Sequence, residues 1–355
     1  MRPVPERLAD HTTLRLGGPA ERWVRATTED ELVAAVSEAD AAGRPVLVLG
    51  GGSNLVVADD GFPGTVVEVA TGGIVPDVDV DGGDPAAAAS CGGVMVTVAA
   101  GEAWDDLVAH AVGRGWAGVE ALSGIPGSVG ATPVQNVGAY GQEVSQTIAS
   151  VRVWDRVLRG VRTFANADCR FGYRTSRFKA DPGRHVVLSV TFQLRVGTLG
   201  QPVAYAELAR ALGVEVGQRA ALGDVREAVL GLRRGKGMVL DAADPDTWSA
   251  GSFFTNPVVD PALVPDGAPA WPQPDGQAKT SAAWLIEHAG FGRGHGPERG
   301  HLRVSLSTKH TLALTNRGGA TTADLLALAR EVRDGVDRRF GIRLVNEPVL
   351  VGCEL

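Results

Sequence analysis

Apolar residues recur at helical spacing in five stretches of the chain and form short continuous or alternating runs in six others. The first helical stretch is TEDELVAAVSEADAAG (28–43). Leu32, Ala35, Val36 and Ala39 share one face, Thr28 and Glu31 have the spacing of a capping box, and Gly43 supplies the stop. EAWDDLVAHAVGRG aligns Trp104, Leu107, Val108 and Ala111 in the same way. GDVREAVLGLRRG, TSAAWLIEHAG and TTADLLALAREVRDGVDRRFG repeat the pattern, the last opening on Thr321 and Asp324. The β-rich runs are RPVLVLG, GTVVEV, VMVTVAAG, VVLSVTFQLRV, HTLALTN and EPVLVG. Three zones read as loops: Thr71–Gly93, rich in Gly, Ala and Asp and expected to be a flexible excursion; the Pro-rich Asp260–Gly276; and the Gly-rich, basic Gly290–Gly300. No internal repeat is visible. This mixture predicts an α+β chain of more than one domain.

At 355 residues the chain can build two or three domains with ample core. Hydrophobic content of 44% and charged content of 21% fit a soluble globular protein. A net charge of −7 argues against bulk attraction to nucleic acid but allows a local basic pocket for a small anion. Cys91, Cys169 and Cys353 lie far apart with no CxxC pair, so neither a disulfide framework nor a zinc site is expected. His295 and His301 lie close together but lack the further ligands of a metal site, and none is expected. The opening MRPVPERLAD has no apolar core and does not read as a secretory leader. The uncharged run Ala121–Gln142 is long enough to span a membrane, yet its glycines and prolines exclude that. A cytoplasmic location, with no membrane partner, is the expectation.

Two glycine-rich stretches carry the first hint of chemistry. In LGGGSNLVV, Gly50, Gly51 and Gly52 let backbone N–H groups approach an anion, and Ser53 and Asn54 can add hydrogen bonds. An ordinary tight turn is the competing reading. A dinucleotide fold of the Rossmann type is rejected, although Glu68 sits near its acidic position, because LVV continues as a strand rather than opening a helix. In SGIPGSVGATPVQNVGAYG, Gly124, Gly127 and Gly130 recur every third residue, with hydroxyls at Ser123, Ser128 and Thr132 and with Ala131 beside them. Such bare backbone suits close contact with a ligand; a tightly packed buried loop would look the same. Two phosphate-competent loops match the two phosphates of a dinucleotide.

LGGGSNLVV, SGIPGSVGATPVQNVGAYGQE, FGYRTSRFK, GSFFTNP and NEPVLVG occur in this order. Together they resemble the UDP-N-acetylenolpyruvoylglucosamine reductase family, the flavin enzymes also called UDP-N-acetylmuramate dehydrogenases, which act in bacterial peptidoglycan precursor synthesis. The resemblance covers nearly the whole chain. It implies a two-subdomain FAD-binding fold of the vanillyl-alcohol-oxidase type plus a smaller C-terminal α+β substrate domain. The expected boundaries are 1–70, with 343–355 returning to it, 71–218 and 219–342. FAD, held non-covalently, would lie on both glycine loops, with NADPH as co-substrate. Reduced flavin would then pass hydride to the enolpyruvyl ether of a UDP-sugar, and a monomer is expected.

The same resemblance assigns roles. Arg174 matches the arginine that grips the substrate carboxylate, Ser252 the proton donor, and Glu347 the C-terminal glutamate, expected to be protonated or held by Arg174. Tyr173, Tyr205, Lys236 and Asn256 match substrate-binding positions, and PVAYAEL points to the subclass with an inserted tyrosine loop that closes over substrate. Read without the family, Arg174 could be a structural ion-pair partner, Ser252 a turn residue, Glu347 a surface carboxylate, and the cations Arg233, Arg234 and Lys236 a complement to a helix dipole. Two other functions remain open at this level. One is a flavin oxidase of a small alcohol or sugar, which needs neither the Arg/Ser/Glu set nor the UDP contacts. The other is a non-catalytic nucleotide-sugar binder, which would not take up flavin.

Overall fold

The computed structural model describes residues 5–77, 93–296 and 303–355; Cys91, His301 and parts of the expected loops Thr71–Gly93 and Gly290–Gly300 lie outside them. The chain divides into two compact units. One comprises Met1–Glu21, Gly52–Phe62 and Gly235–Leu355, and the other comprises Arg22–Gly51 and Pro63–Arg234. The chain passes between them inside the first glycine loop, at Gly51 and Gly52.

The unit holding the middle of the chain is built on two main sheets. In the smaller, the strand Phe62–Val69 lies between Ala20–Ala26 and Val46–Leu49, and pairs with the latter in parallel, Leu47 opposite Val66. The helix Glu29–Ala41 covers it. Both halves of its capping box form, Thr28 accepting from the Glu31 N–H and Glu31 from the Thr28 N–H, and its apolar face is the predicted one. The larger sheet is antiparallel, in the order Gly160–Ala165, Ile148–Asp155, His185–Val196, Gly93–Ala99, Ile74–Asp77.

The long strand His185–Val196 explains why its sequence starts as a continuous apolar run and then alternates. Val186 and Leu188 face the core around helix Glu29–Ala41, while Val187 and Val190 face the core around Trp104 and Phe192, so the first half is covered on both sides. Beyond it, Phe192 and Leu194 stay buried while Gln193 and Arg195 are exposed. The helix Trp104–Gly113 packs Trp104, Leu107, Val108 and Ala111 into that second core, as its spacing predicts.

The other unit gathers both ends of the chain. The helix Thr322–Phe340 opens with a complete capping box between Thr321 and Asp324. Its buried face meets the helix Ala282–His288, the hairpin Val304–Leu306/Leu314–Asn316, and the ring pair Phe253–Phe254. Near the C-terminus, Val349–Val351 pairs in parallel with Leu55–Val57, which brings NEPVLVG beside SNLVV. Asp59 accepts from the N–H groups of Thr322 and Ala323 and so ties the first turn of the long helix to the same place. The Pro-rich zone expected to be a loop contains one short exposed strand, Ala270–Pro272, at the edge of a three-stranded ribbon where a proline costs no ladder bond. Among the described residues, no helix is long and apolar enough to cross a membrane.

Candidate active site

The two glycine loops meet. A Cβ built on Gly50 would lie 2.4 Å from Ser128 Oγ, and one on Gly51 would lie 2.6 Å from Gly127 Cα. Gly51 is therefore dictated first by backbone packing against backbone, and Gly50 by the Ser128 side chain. Gly52 adopts φ +58° and leaves no room for a side chain before the carbonyl oxygen of His11, 1.9 Å from its would-be Cβ. The third-residue spacing of the second loop has separate causes at each position. Gly124 and Gly127 take positive φ, at +71° and +120°, whereas Gly130 is pressed against Ala100 and donates its N–H to the Ala100 carbonyl. Ser123 is fully buried and its hydroxyl donates to the Glu120 carbonyl. Ser123 and Gly130 thus shape the loop. Among the described residues, the N–H groups of Gly50, Gly51, Ile125, Gly127 and Ser128 make no hydrogen bond. Apposed loops offering such amides suit a diphosphate.

The second loop is gripped by charges that sequence reading passed over. Asp105, in the first turn of helix Trp104–Gly113, accepts the Gly124 N–H at 2.6 Å and two hydrogen bonds from Arg226 at 2.7 and 2.8 Å. Burial pushes the Asp105 carboxyl up, but Arg226 and the Gly124 N–H outweigh it and hold the pKa below the usual range. Arg233 donates to the Gly124 carbonyl, and burial lowers its pKa to about 10. In the sequence, Asp105 looks like any polar position on an amphipathic helix, and its partner Arg226 is 121 residues away.

Arg174 sits at the tip of a tight hairpin closed by the Gly172–Thr175 bridge, with φ +53°, a region few non-glycine residues adopt. Its guanidinium donates to the carbonyls of Gly138, at 2.9 Å, and Asn136, at 3.4 Å. Asn136, also left-handed at φ +50°, donates to the Gly172 carbonyl and to Glu143, and accepts from the Ser145 N–H. The second glycine stretch and the arginine hairpin are therefore stitched together by one asparagine. Lys179 donates to the Arg174 carbonyl. Tyr205, exposed, lies edge-on to Tyr140 of the same stretch. This unit thus assembles Arg174, Tyr173, Tyr205, Gly50, Gly51 and the second loop.

The other unit assembles Ser252, Glu347, Asn54, Asn256 and Lys236. The segment after Ser252 runs antiparallel to the one holding Glu347: the Glu347 N–H donates to the Phe253 carbonyl at 2.8 Å, and Thr255 to Val345 at 3.0 Å. Buried Phe253 and Phe254 fix that segment in the core. On its other side Glu347 is tied to the first loop, its carbonyl accepting from Asn54 Nδ2 and the Val349 N–H bonding the Asn54 carbonyl. Asn256 uses its Oδ1 to accept the Ala282 N–H at the start of a helix, which fixes the orientation of its amide. Lys236 directly follows the helix Leu222–Gly235 and is half-buried.

Residues 20–157, which span both glycine loops, match the FAD binding domain family. Residues 244–351, which span Ser252, Asn256 and Glu347, match the family described as UDP-N-acetylenolpyruvoylglucosamine reductase, C-terminal domain. The reductase of that name from Cutibacterium acnes is 59% identical over 348 residues, covering 98% of this chain and 90% of its own. The Thermobifida fusca reductase is 56% identical and covers 98% and 97%. The chain belongs to the UDP-N-acetylenolpyruvoylglucosamine reductase family. The crystal structure of a family member from Thermus caldophilus aligns over 98% of this chain and 99% of its own, with a TM-score of 0.61 and 25% identity. Arg174 and Tyr205 fall between the two domain matches but within the span shared with the whole reductases.

The loop packing carries its own prediction. Gly51→Ala should express with much reduced flavin content, because a methyl group 2.6 Å from Gly127 Cα forces the two loops apart. Absorbance at 450 nm per mole of purified protein measures it, and full flavin content would show that the loops part without cost.

Proposed function

We propose that the chain uses NADPH to reduce UDP-N-acetylglucosamine enolpyruvate to UDP-N-acetylmuramate, a step of peptidoglycan precursor synthesis. Membership of the reductase family carries this proposal. Bound FAD, whose diphosphate the apposed loop amides fit, would supply the hydride relay between NADPH and the terminal vinyl carbon. Negative charge then builds on the adjacent carbon and spreads into its carboxylate. The Arg174 fork is assigned to that carboxylate, where a planar cation suits an enediolate. Ser252 Oγ is assigned the proton that the adjacent carbon takes up. Glu347, on the segment hydrogen-bonded to that of Ser252, is assigned as the third polar group. Tyr173, Tyr205, Lys236 and Asn256 are assigned to the UDP-sugar, with Tyr205 on a loop of the tyrosine subclass that closes over substrate. The enzyme is taken to work as a cytoplasmic monomer, with 1–70, 71–218 and 343–355 serving the flavin and 219–342 the UDP-sugar.

Purified protein should be yellow, bleach with NADPH under anaerobic conditions, and recover its colour when the enolpyruvyl substrate is added. Colourless protein after incubation with FAD would point to a nucleotide-sugar binder instead. Rapid reoxidation by air with indifference to the substrate would point to an oxidase.

A further inference from the structure

The motif FGYRTSRFK contains three cations, and the structure sends them to different places. Arg174 donates to the Gly138 and Asn136 carbonyls and Lys179 to the Arg174 carbonyl. Arg177 turns away. Ser176 Oγ accepts the N–H groups of Phe178 and Lys179 at the start of a short helical turn, and this aims the Arg177 guanidinium at the ring of Phe164, 4.5 Å from its centroid. Arg162 approaches the same ring at 6.0 Å. Beside them lies a cavity of about 450 Å³ whose walls include Arg162, Arg170, Arg177, Arg184 and His185. No residue of either glycine loop lines it.

The acids in its wall are already committed. Asp155 accepts three hydrogen bonds from Arg184, at 3.0 to 3.2 Å, and two more from the N–H groups of Val157 and Leu158. Arg184 foremost, these bonds lower its carboxyl to about 2. Asp181 pairs with the same Arg184 at 3.3 Å. Among the described residues, Arg162, Arg170 and Arg177 have no acidic partner. His185 adds an independent signal. Its side chain is only 4% exposed and packs edge-on against Phe164 and Phe178. Its Nδ1 is buried and makes no hydrogen bond, while Nε2 stands 3.8 Å from Asp155. Held this way, the His185 ring is fixed in the cavity wall and can report on what enters.

We propose that this cavity is a second ligand site that takes a phosphate-bearing small molecule about the size of a nucleoside monophosphate. Guanidinium forks match phosphoryl oxygens bidentately, and the cavity wall gathers four of them. The volume falls in the range of small-molecule sites and is far larger than a bare anion needs. Because the site shares no residue with the flavin loops, it stands whether or not the reductase assignment does.

Titration of the FAD-loaded protein with AMP, followed by calorimetry and by the imidazole NMR signals of His185, tests it. Millimolar or tighter binding that shifts those signals is expected, with inorganic phosphate shifting the same signals more weakly. The double variant Arg170→Gln/Arg177→Gln should lose at least about tenfold in affinity, roughly one lost charge-assisted contact, while keeping its flavin and its reduction by NADPH. His185→Phe, which keeps the ring packing, should melt no lower than the parent and bind AMP about as tightly. Unmoved His185 signals, unchanged AMP affinity in the double variant, or citrate binding as tightly as AMP would each overturn the proposal.

Discussion

Ser252→Ala is expected to bleach with NADPH as fast as the parent and to lose roughly 10²- to 10⁴-fold in the rate at which the enolpyruvyl substrate restores flavin colour, the usual worth of a positioned proton donor. The split follows from where Ser252 sits. Its neighbours Phe253 and Phe254 are locked in the core, and the Phe253 carbonyl accepts the Glu347 N–H, so removing one oxygen leaves the backbone frame standing. Hydride transfer from NADPH needs no proton from this hydroxyl. Under the proposed role the substrate half-reaction does, because the carbon next to the carboxylate must gain one. A hydroxyl is a weak acid, but a carbanion conjugated to a carboxylate is basic enough to take its proton. Anaerobic stopped-flow absorbance separates the two halves. If both slow by the same factor, Ser252 shapes the flavin site and is not the donor.

Arg174→Lys should fold, bind FAD and accept hydride from NADPH, yet slow the substrate half-reaction about 10- to 150-fold, equivalent to about 1.5–3 kcal/mol for one charge-assisted hydrogen bond. Both side chains carry the charge, and both must pay for the left-handed backbone at position 174, so charge and strain are held constant. What lysine lacks is the planar fork. The guanidinium spends donors on the Gly138 and Asn136 carbonyls and so is held in place; one ammonium cannot keep those bonds and meet a carboxylate bidentately as well. Equal loss in the NADPH half-reaction, or loss of bound flavin, would instead make Arg174 a structural residue of its hairpin.

Much of the fold was legible because its signals are local. The capping boxes at Thr28/Glu31 and Thr321/Asp324 are read within one turn and form as read. The strand–loop–strand context of GGGSN, which ruled out the Rossmann alternative, is also local, and Leu55–Val57 is a strand. Other features depended on distant chain. Glu68 is turned into a hydrogen-bond acceptor for Trp23 and an ion-pair partner of Arg25. His295 meets Glu331, its hydrogen-bond partner from the long helix. Cys169 is a buried thiol, pushed up to about 12 mainly by burial.

The sequence by itself determined five helices, six of the strands, the family motifs and the types of residue the chemistry requires, because periodicity, capping and turn chemistry act over a few neighbouring residues; the paired strands Ile148–Asp155 and Gly160–Ala165 and the helix Ala206–Leu212 lie outside the runs it marked. Only the tertiary structure decided what those residues face. It showed that Gly51 is a glycine because Gly127 lies against it, that Asp105 and Arg226 hold the second loop by its Gly124 N–H, and that Arg177 leaves the Arg174 motif for a cavity of its own. Each depends on groups brought together from far along the chain. Close packing and charge pairing act through distance in space, and no sequence spacing encodes that distance.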